Sequence, residues 1–306
     1  MTGADPYLQP NGTLRNKLGI TGARELLQRE TDRALLRAAV LESNLPRPPF
    51  TFETLKAIHH TLFQDVYDWA GEVRQTPLGK SHFEARNSPV TWFAPPGAVE
   101  ARAVGVFESL AQSDSLAGRD RAEFVTGASE LLIAVNNLHP FREGNGRAQR
   151  ILLSAVARHA GHELAFDVVT RERMVAISIA GSAGDLSAAY RLFDEITVSR
   201  RAEALRKALT FLQRDSQLNW NDLYIATTEP RQHYSGQLVG VAGSDFMMRV
   251  VRPPQDWIAI GDIADLPEGA RSGDSFTIEA RHFASPRAVS RIPLPNHLPI
   301  PPRMPR

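Results

Sequence analysis

The sequence predicts a mainly α-helical domain with a β-hairpin flap, followed by a small all-β module. Apolar residues recur at helical spacing through most of residues 1–214, and a stretch rich in proline and glycine interrupts them near residue 80. Short β-rich runs begin after Gln213. We therefore expect a helical domain over 1–214, a β module over 215–285, and a proline-rich linker or tail over 286–306.

Helices account for most of the first part. The first predicted helix covers 21–44, and its apolar residues have the spacing of an amphipathic helix: Leu26, Leu27, Leu35, Leu36 and Val40. A second helix begins at Thr51 or Thr54, and four apolar residues are expected to carry it into the core: Leu55, Ile58, Leu62 and Phe63. Further helical stretches cover 98–113, 120–138, 146–160, 170–180 and 185–213, the last with a break.

Two regions have a different character. Prolines and glycines surround the short stretch 90–93, which predicts a hairpin or an irregular flap within 76–96. In the C-terminal part, short β-rich runs are separated by Gly, Asp, Pro and Ser, and they cover 236–241, 246–251, 257–260 and 275–280. This pattern favours a small β-barrel or sandwich.

The composition excludes several classes of function. Thirty-five Lys and Arg residues balance 34 Asp and Glu, so the net charge of +1 provides no general attraction to nucleic acid. The absence of cysteine removes disulfides, thiolate metal sites and cysteine nucleophiles, and it fits a reducing cytoplasm. Neither a secretion signal nor an uncharged apolar run of membrane-spanning length is present, so no membrane partner is expected.

Residues 139–150, with the sequence HPFREGNGRAQR, have the features of a phosphate-binding turn between two helices. Pro140 stops the preceding helix, while Gly144 and Gly146 allow backbone conformations that other residues avoid. The free N–H groups of the next helix start would then bind an anion. Arg147 and Arg150 lie three residues apart near that start and could hold further phosphate oxygens.

The same segment offers a metal ligand and a base. Glu143 would be repelled by phosphates unless a cation such as Mg²⁺ lay between them, so a magnesium–nucleotide complex fits the whole segment. His139 has a side chain whose ordinary pKa suits proton abstraction at neutral pH. Each residue alone has an ordinary explanation: a histidine can cap a helix, Gly-Asn-Gly can form a turn, and arginines can be solvated. The functional interpretation depends on their combination.

In residues and spacing, the segment resembles the signature of the Fic family at every fixed position, a match expected by chance with a probability on the order of 10⁻⁸. The resemblance extends to about residue 199 through further landmarks at 14–20, 62–74, 78–80 and 93–96. It implies an adenylyltransferase that moves AMP from ATP to a hydroxyl of a target protein, a Ser, Thr or Tyr. His139 would be the general base and Glu143 the metal ligand.

The resemblance also assigns the remaining site residues. Asn145 and the loop amides, including those of Gly144 and Gly146, would hold the α-phosphate, and Arg147 and Arg150 the β- and γ-phosphates. Phe141 would pin the loop to the core. A flap that contains Leu78, Gly79, Lys80 and Phe93 would pair with an extended segment of the target, and the long insertion 81–92 within it is where we expect target choice to be encoded.

Three other features have competing explanations. His59 and His60 are adjacent on a helix and face different ways, so we interpret them as packing or surface residues rather than as metal ligands. Trp69 and Phe63 fit a core better than a stacking platform. Asp185 falls where the family often places a residue near the adenine, and helix capping explains it equally well.

The β-rich region 234–283 resembles the OB-like module that follows the Fic domain in toxins and effectors linked to type IV secretion. Its many Asp and Glu residues and few aromatics favour a spacer or protein-docking role over oligonucleotide binding. A secretion-signal domain follows in such relatives, and the proline-rich end suggests a chain cut before it. The resemblance places the protein in the bacterial cytoplasm or, after secretion, in a recipient or host cell.

The inhibitory pattern of many Fic proteins, Ser/Thr, three residues, Glu and then Gly/Asn, is not completed at 21–26 or 199–204. We therefore expect a small separate antitoxin to supply the glutamate.

Relatives of the toxin type modify bacterial type II topoisomerases and effector types modify host GTPases, and the sequence chooses neither. The alternatives are phosphate or phosphocholine transfer, or a catalytically silent adaptor that presents the flap and the β module.

Overall fold

A computed structural model of the chain describes residues 5–81, 90–214, 219–251 and 257–283. Within these ranges, eight α-helices are followed by a five-stranded sheet. The helices are α1 (Ala23–Ser43), α2 (Phe52–Phe63), α3 (Val99–Gln112), α4 (Arg121–Leu138), α5 (Asn145–Ala160), α6 (Arg171–Ser182), α7 (Ser187–Ile196) and α8 (Ser199–Leu212). The strands are β1 (Gly79–Ser81), β2 (Val90–Trp92), β3 (Tyr224–Thr227), β4 (His233–Ala242), β5 (Asp245–Val250), β6 (Trp257–Asp262) and β7 (Ser275–Glu279). The predicted fold class is confirmed.

Helix α1 forms where the apolar spacing predicted it, but it buries a different face. Its buried residues are Leu26, Glu30 and Ala34, spaced four apart along one side. Most of the apolar residues that suggested an amphipathic helix are exposed: Leu27, Leu35, Leu36 and Val40. The expected apolar face was therefore wrong at these positions, because α1 packs on α2 and α5 through the side that carries Leu26, Glu30 and Ala34.

Helices α2, α4 and α5 form the centre of the helical domain. Thr51 caps α2 and exchanges hydrogen bonds with Thr54, and Asp120 caps α4 in the same way with Glu123. The four apolar residues of α2 named from the sequence are all buried, as predicted. Helix α5 packs between α2 and α4, so the start of α5 is fixed on both sides.

Strands β1 and β2 form the predicted hairpin, with Gly79 opposite Trp92 and Lys80 opposite Thr91. A Cβ on Gly79 would lie 2.7 Å from Val90 Cγ1, so only glycine permits this close approach between the strands. Residues 82–89, most of the insertion to which we assigned target choice, lie outside the described residues.

The C-terminal sheet has the strand order β3-β6-β5-β4-β7, with β3 and β6 parallel and the other neighbours antiparallel. Five strands with unpaired outer edges fit the partly open OB-like module that was expected. Four of the strands were predicted; β3 was not, because it has only four residues and its partner β6 lies some 30 residues further along the chain.

One face of the sheet belongs to the hydrophobic core of the helical domain. Ile225, Met247, Ile258 and Ile260 are buried together with apolar residues of α8. The opposite face has its own cluster, which includes Phe246, Met248 and Trp257. The helices and the sheet are thus joined by a continuous apolar core.

A buried ion cluster lies at this junction. Glu195 of α7 is 1% exposed, and its carboxylate accepts hydrogen bonds from Arg173 (2.9 Å), Arg191 (3.1 Å) and the backbone N–H of Thr227 in β3 (3.2 Å). These partners hold the carboxylate ionised, and the pKa of Glu195 is lowered although burial itself acts in the opposite direction.

The predicted domain boundary at 214/215 stays a prediction, and residues 215–218 and 284–306 are outside the described residues. No helix in the described ranges has the length and apolar character needed to cross a membrane.

The shared core predicts that the sheet and the helices unfold together. Ile260→Ala is expected to lower the free energy of unfolding by about 2–5 kcal/mol, because it removes buried methyl groups at the junction. Circular dichroism at 222 nm, for the helices, and tryptophan fluorescence should give one coincident, shifted transition. Val241→Ala, at an exposed position of β4, is the control and should change the midpoint little. Two separate transitions would contradict the shared core.

Candidate functional site

The loop between α4 and α5 begins with a left-handed turn at His139. Helix α4 ends at Leu138 as predicted, and His139 has φ 42° and ψ 59°. Buried Arg74 stabilises this conformation, because its Nε donates to the His139 carbonyl (2.7 Å) and its backbone N–H donates to the Pro140 carbonyl (2.8 Å). The same guanidinium donates to the Ala94 carbonyl, just after the hairpin. Arg74 therefore ties the loop to the base of the flap.

The start of α5 forms a cradle of unused amides. Gly144 precedes the helix with φ 82°, and a Cβ there would lie 2.3 Å from the ring of Phe63, so glycine is required. Gly146, in contrast, has no positive φ, which corrects the expectation that it needs a special backbone conformation. A Cβ on Gly146 would meet open space, so this side of the turn is accessible. The N–H groups of Asn145, Gly146 and Arg147 have no acceptor among the described residues.

The side chain of Asn145 braces the loop from inside. It is buried, its Oδ1 accepts from the Phe141 N–H (2.9 Å), and its Nδ2 donates to the Phe141 carbonyl (2.7 Å). Because both polar atoms of the amide are engaged, the contribution to an anion site that we assigned to Asn145 falls to its backbone N–H. Phe141 is fully buried, as the predicted pinning role requires.

His59 of α2 braces the same loop. Its Nδ1 accepts from the Gly71 N–H (2.8 Å), which leaves Nε2 to carry the proton and donate to the Glu143 carbonyl (2.9 Å). The ring also stacks on Phe141, with 3.8 Å between centroids. Burial lowers the pKa of His59 to about 3, so the imidazole is neutral at physiological pH. The interpretation of His59 as a packing residue fits these contacts.

The two arginines of the segment have different surroundings. Arg147 forms an ion pair with buried Glu30 of α1, lies 3.6 Å from the Glu143 carboxylate, and stands over the Phe63 ring at 4.6 Å. Arg150 is half-buried over Phe166, and no carboxylate in the described part of the chain pairs with it. Burial, together with the nearby charge of Arg147, lowers the pKa of Arg150. Among the described residues, the first two turns of α5 thus carry one cation that is paired with carboxylates, Arg147, and one that is not, Arg150.

Glu143 is the acidic group at the mouth of the cradle. Its side chain is about half exposed, and its Oε1 accepts from the Gly144 N–H (2.8 Å). No three His, Asp or Glu side chains among the described residues are close enough to hold a metal ion by themselves. A cation here would need Glu143 together with phosphate oxygens and water, which is the way proteins hold Mg²⁺.

The flap contacts the histidine directly. The ring of Phe93 stacks on the imidazole of His139, with 3.7 Å between centroids and 8° between planes. The Phe93 N–H donates to the Leu78 carbonyl (3.1 Å), and the neighbouring Ala94 N–H donates to Asn137 of α4 (3.0 Å). The residues assigned to the flap, Leu78, Gly79, Lys80 and Phe93, therefore lie on one hairpin next to His139.

Sequence reasoning missed three contributors to the site: Arg74, Glu30 and Tyr67. Arg74 and Tyr67 lie within the landmark 62–74, but only the fold shows what they bind. The signal for Glu30 was its position between Leu26 and Ala34, which makes it a charged residue on the buried side of α1. Asp185 accepts a hydrogen bond from the Ser187 N–H (2.9 Å) at the start of α7, which supports the capping alternative.

Comparisons with known proteins agree with this geometry. Residues 49–157 match the Fic/DOC family. A protein adenylyltransferase of Bartonella henselae is 30% identical over 298 residues, which are 92% of this chain and 52% of that protein. A probable protein adenylyltransferase Fic of Escherichia coli K12 is 32% identical over 208 residues, 66% of this chain and 96% of that protein. The solved structure of the type IV secretion system effector protein BepA has a TM-score of 0.77 and 29% identity, covering 90% of this chain and 96% of that one.

The lengths of these proteins differ. The chain spans about half the length of the Bartonella henselae relative but nearly all of the Escherichia coli one. The structural match with the effector protein covers both the helical domain and the sheet, because it extends over 90% of this chain. The similarity is therefore broader than the segment 139–150.

The neutral state of His59 predicts a pH dependence of stability. Between pH 6.5 and about 3 the unfolded chain binds a proton at His59 that the folded chain does not, so the free energy of unfolding falls as the pH falls. In His59→Gln this contribution, up to about 1.4 kcal/mol per pH unit, should disappear. Urea unfolding at pH 7.5, 6.0 and 5.0 measures the free energy of unfolding of the wild type and of His59→Gln. Equal slopes for wild type and variant would contradict the assignment.

Proposed function

Because the chain belongs to the Fic/DOC family, we propose that it is a protein adenylyltransferase that transfers AMP from ATP to a hydroxyl side chain of a target protein. The observation that carries this proposal is the pairing of His139, stacked under the flap, with a helix start whose first N–H groups have no acceptor within the described ranges. The Bartonella henselae and Escherichia coli relatives are named protein adenylyltransferase and probable protein adenylyltransferase.

The reaction would use the two sides of the loop. His139 takes the proton of the target hydroxyl, whose oxygen attacks the α-phosphorus in line, and the bond to the β-phosphate oxygen breaks as pyrophosphate leaves. The N–H groups of Asn145, Gly146 and Arg147 stabilise the charge that develops on the α-phosphate oxygens. Arg147 and Arg150 hold the β- and γ-phosphates.

Mg²⁺ is the cation that fits beside Glu143. A half-exposed carboxylate next to a phosphate cradle supports this assignment, since Mg²⁺ usually takes one or two carboxylates together with substrate phosphates and water. When bound, it would neutralise charge on the phosphates. In this chain, Glu143 would hold it, and the hydrogen bond from Gly144 would keep that carboxylate at the mouth of the cradle.

The target is expected to dock along the hairpin β1–β2. Val90 and Trp92 of β2 are 41% and 63% exposed, and an exposed strand can pair with an extended segment of another protein. Phe93 would connect this docking edge with His139. A bacterial topoisomerase and a host GTPase are the two candidate classes of target, and similarity to a type IV secretion effector supports translocation as one route to the target.

AMP transfer predicts a specific loss in His139→Ala. The wild type incubated with Mg²⁺ and α-labelled ATP should label protein, and the variant should lose the label by at least about a hundredfold, because general-base catalysis contributes factors of this size. His233→Ala, on an exposed position of β4, is the control. Label that persists in His139→Ala would refute the role of His139. Protein labelled by γ- but not α-labelled ATP would instead indicate phosphate transfer.

A second prediction concerns inhibition in trans. Arg150 lacks a carboxylate partner among the described residues, which supports an antitoxin that supplies a glutamate to it. Co-expression with the product of the neighbouring small open reading frame should yield a stable complex that transfers no AMP. Arg150→Met should weaken the complex, whereas in Arg158→Met, which removes an exposed arginine from the last turn of the same helix, the complex should still form. An active enzyme that never associates with such a partner would contradict this prediction.

A further inference from the structure

A buried carboxylate lies directly behind the phosphate cradle. Glu30 of α1 is 3% exposed; its Oε1 accepts from Arg147 Nη2 and its Oε2 accepts from the hydroxyl of Tyr67. Tyr67 is also buried, and burial, reinforced by the charge of Glu30, raises the pKa of its hydroxyl. The hydroxyl therefore stays protonated and donates to Glu30 throughout the physiological range.

Arg147 is the one cation that pairs with Glu30 among the described residues. Loss of this partner would leave a buried carboxylate without a counter-charge, which is strongly destabilising. Arg147 is therefore expected to keep its contact with Glu30 when a nucleotide binds. The Phe63 ring under the guanidinium restricts it further.

The contact with Glu30 uses one edge of the guanidinium and leaves the other. Nη2 is engaged, whereas Nε and Nη1 have no hydrogen-bond acceptor in the described part of the chain. The side chain is 34% exposed, so these two donors can reach a ligand. The guanidinium of Arg147 is thus held in place along one edge, and its other edge is open beside the amides of the cradle.

Arg150 provides the contrast. No carboxylate in the described ranges pairs with it, so its positive charge is the uncompensated one on the first two turns of α5. Attraction of a polyanion depends on net charge, whereas alignment of its phosphates depends on fixed geometry. The uncompensated charge of Arg150 therefore suits attraction of the polyanion, and the fixed guanidinium of Arg147 suits alignment of its phosphates.

We propose that Glu30, held by Tyr67, is a positioning residue for AMP transfer: it fixes the guanidinium of Arg147 so that the leaving pyrophosphate is aligned with the attacking hydroxyl. This inference rests on the proposed function. Its consequence is a separation of effects, in which loss of Glu30 impairs the transfer step much more than ATP binding. If the carboxylate of Glu30 instead competed with phosphate for Arg147, its removal would raise kcat.

Glu30→Gln tests the proposal because it keeps the size of the side chain and removes its charge. We expect kcat for AMP transfer to fall at least about tenfold, while the Kd of Mg–ATP from titration calorimetry changes less than about threefold. Tyr67→Phe, which keeps the ion pair, should lower kcat by a smaller factor. Glu25→Gln makes the same charge change at an exposed position of α1 and should alter neither quantity.

Three outcomes would overturn the proposal. An unchanged kcat in a folded Glu30→Gln enzyme, even with a lowered unfolding midpoint, would make Glu30 purely structural. A raised kcat would make it a competitor of the nucleotide. Loss of ATP affinity in parallel with kcat would show that it serves binding. Should Glu30→Gln not fold, Tyr67→Phe must still show the loss confined to kcat, and an unchanged kcat there would count against the proposal.

A second readout does not depend on catalysis. The Nε–H resonance of Arg147, assigned with Arg147→Lys, should be sharp in the wild type and in Glu25→Gln and should shift when a non-hydrolysable ATP analogue is added. It should broaden in Glu30→Gln. If the wild type binds ATP but transfers no AMP, the proposed function fails and this resonance still tests the fixing of Arg147. An equally sharp resonance in Glu30→Gln would refute the inference.

Discussion

The site depends on the left-handed turn that Arg74 imposes at His139. A non-glycine residue with positive φ is held against its own preference, so the surrounding structure must stabilise it. Arg74 does so by binding the carbonyl groups of His139, Thr76 and Ala94 with one buried guanidinium. Burial lowers the pKa of Arg74, but the ordinary value is high enough for the guanidinium to remain charged. Arg74 therefore connects the turn with the base of the flap.

Much of the fold could be predicted from local sequence patterns. The capping residues Thr51 and Asp120 and the stop at Pro140 are local signals, and the helices they bound were found within a few residues. Segment 139–150 could be predicted as a phosphate-binding turn because the residues that form such a turn are neighbours in the sequence. For the same reason the sequence could suggest the role of Gly144, whose positive φ is a local property, while its contact with Phe63 is not.

What the sequence did not reveal depends on contacts between distant segments. The buried face of α1 includes Glu30, whose partner Arg147 lies 117 positions further along the chain. A count of apolar residues therefore selected the wrong side of that helix, since Leu35 and Leu36 suggested burial and Glu30 did not. Strand β3 was missed for a related reason, because it is stabilised by β6 and by the ion cluster at Glu195 rather than by its own composition.

The supports of the cradle all lie on its buried side. Asn145, His59 and Glu30 are each less than about 5% exposed, and each binds the loop or its arginine through groups that are fully engaged. The exposed groups, Gly146 and the carboxylate of Glu143, lie on the other side. In the proposed function the nucleotide would approach from this exposed side, and the flap lies next to the loop through the Phe93–His139 stack. If the proposed function holds, these buried supports would stay unchanged through the reaction cycle, and differences between targets would be accommodated at the flap.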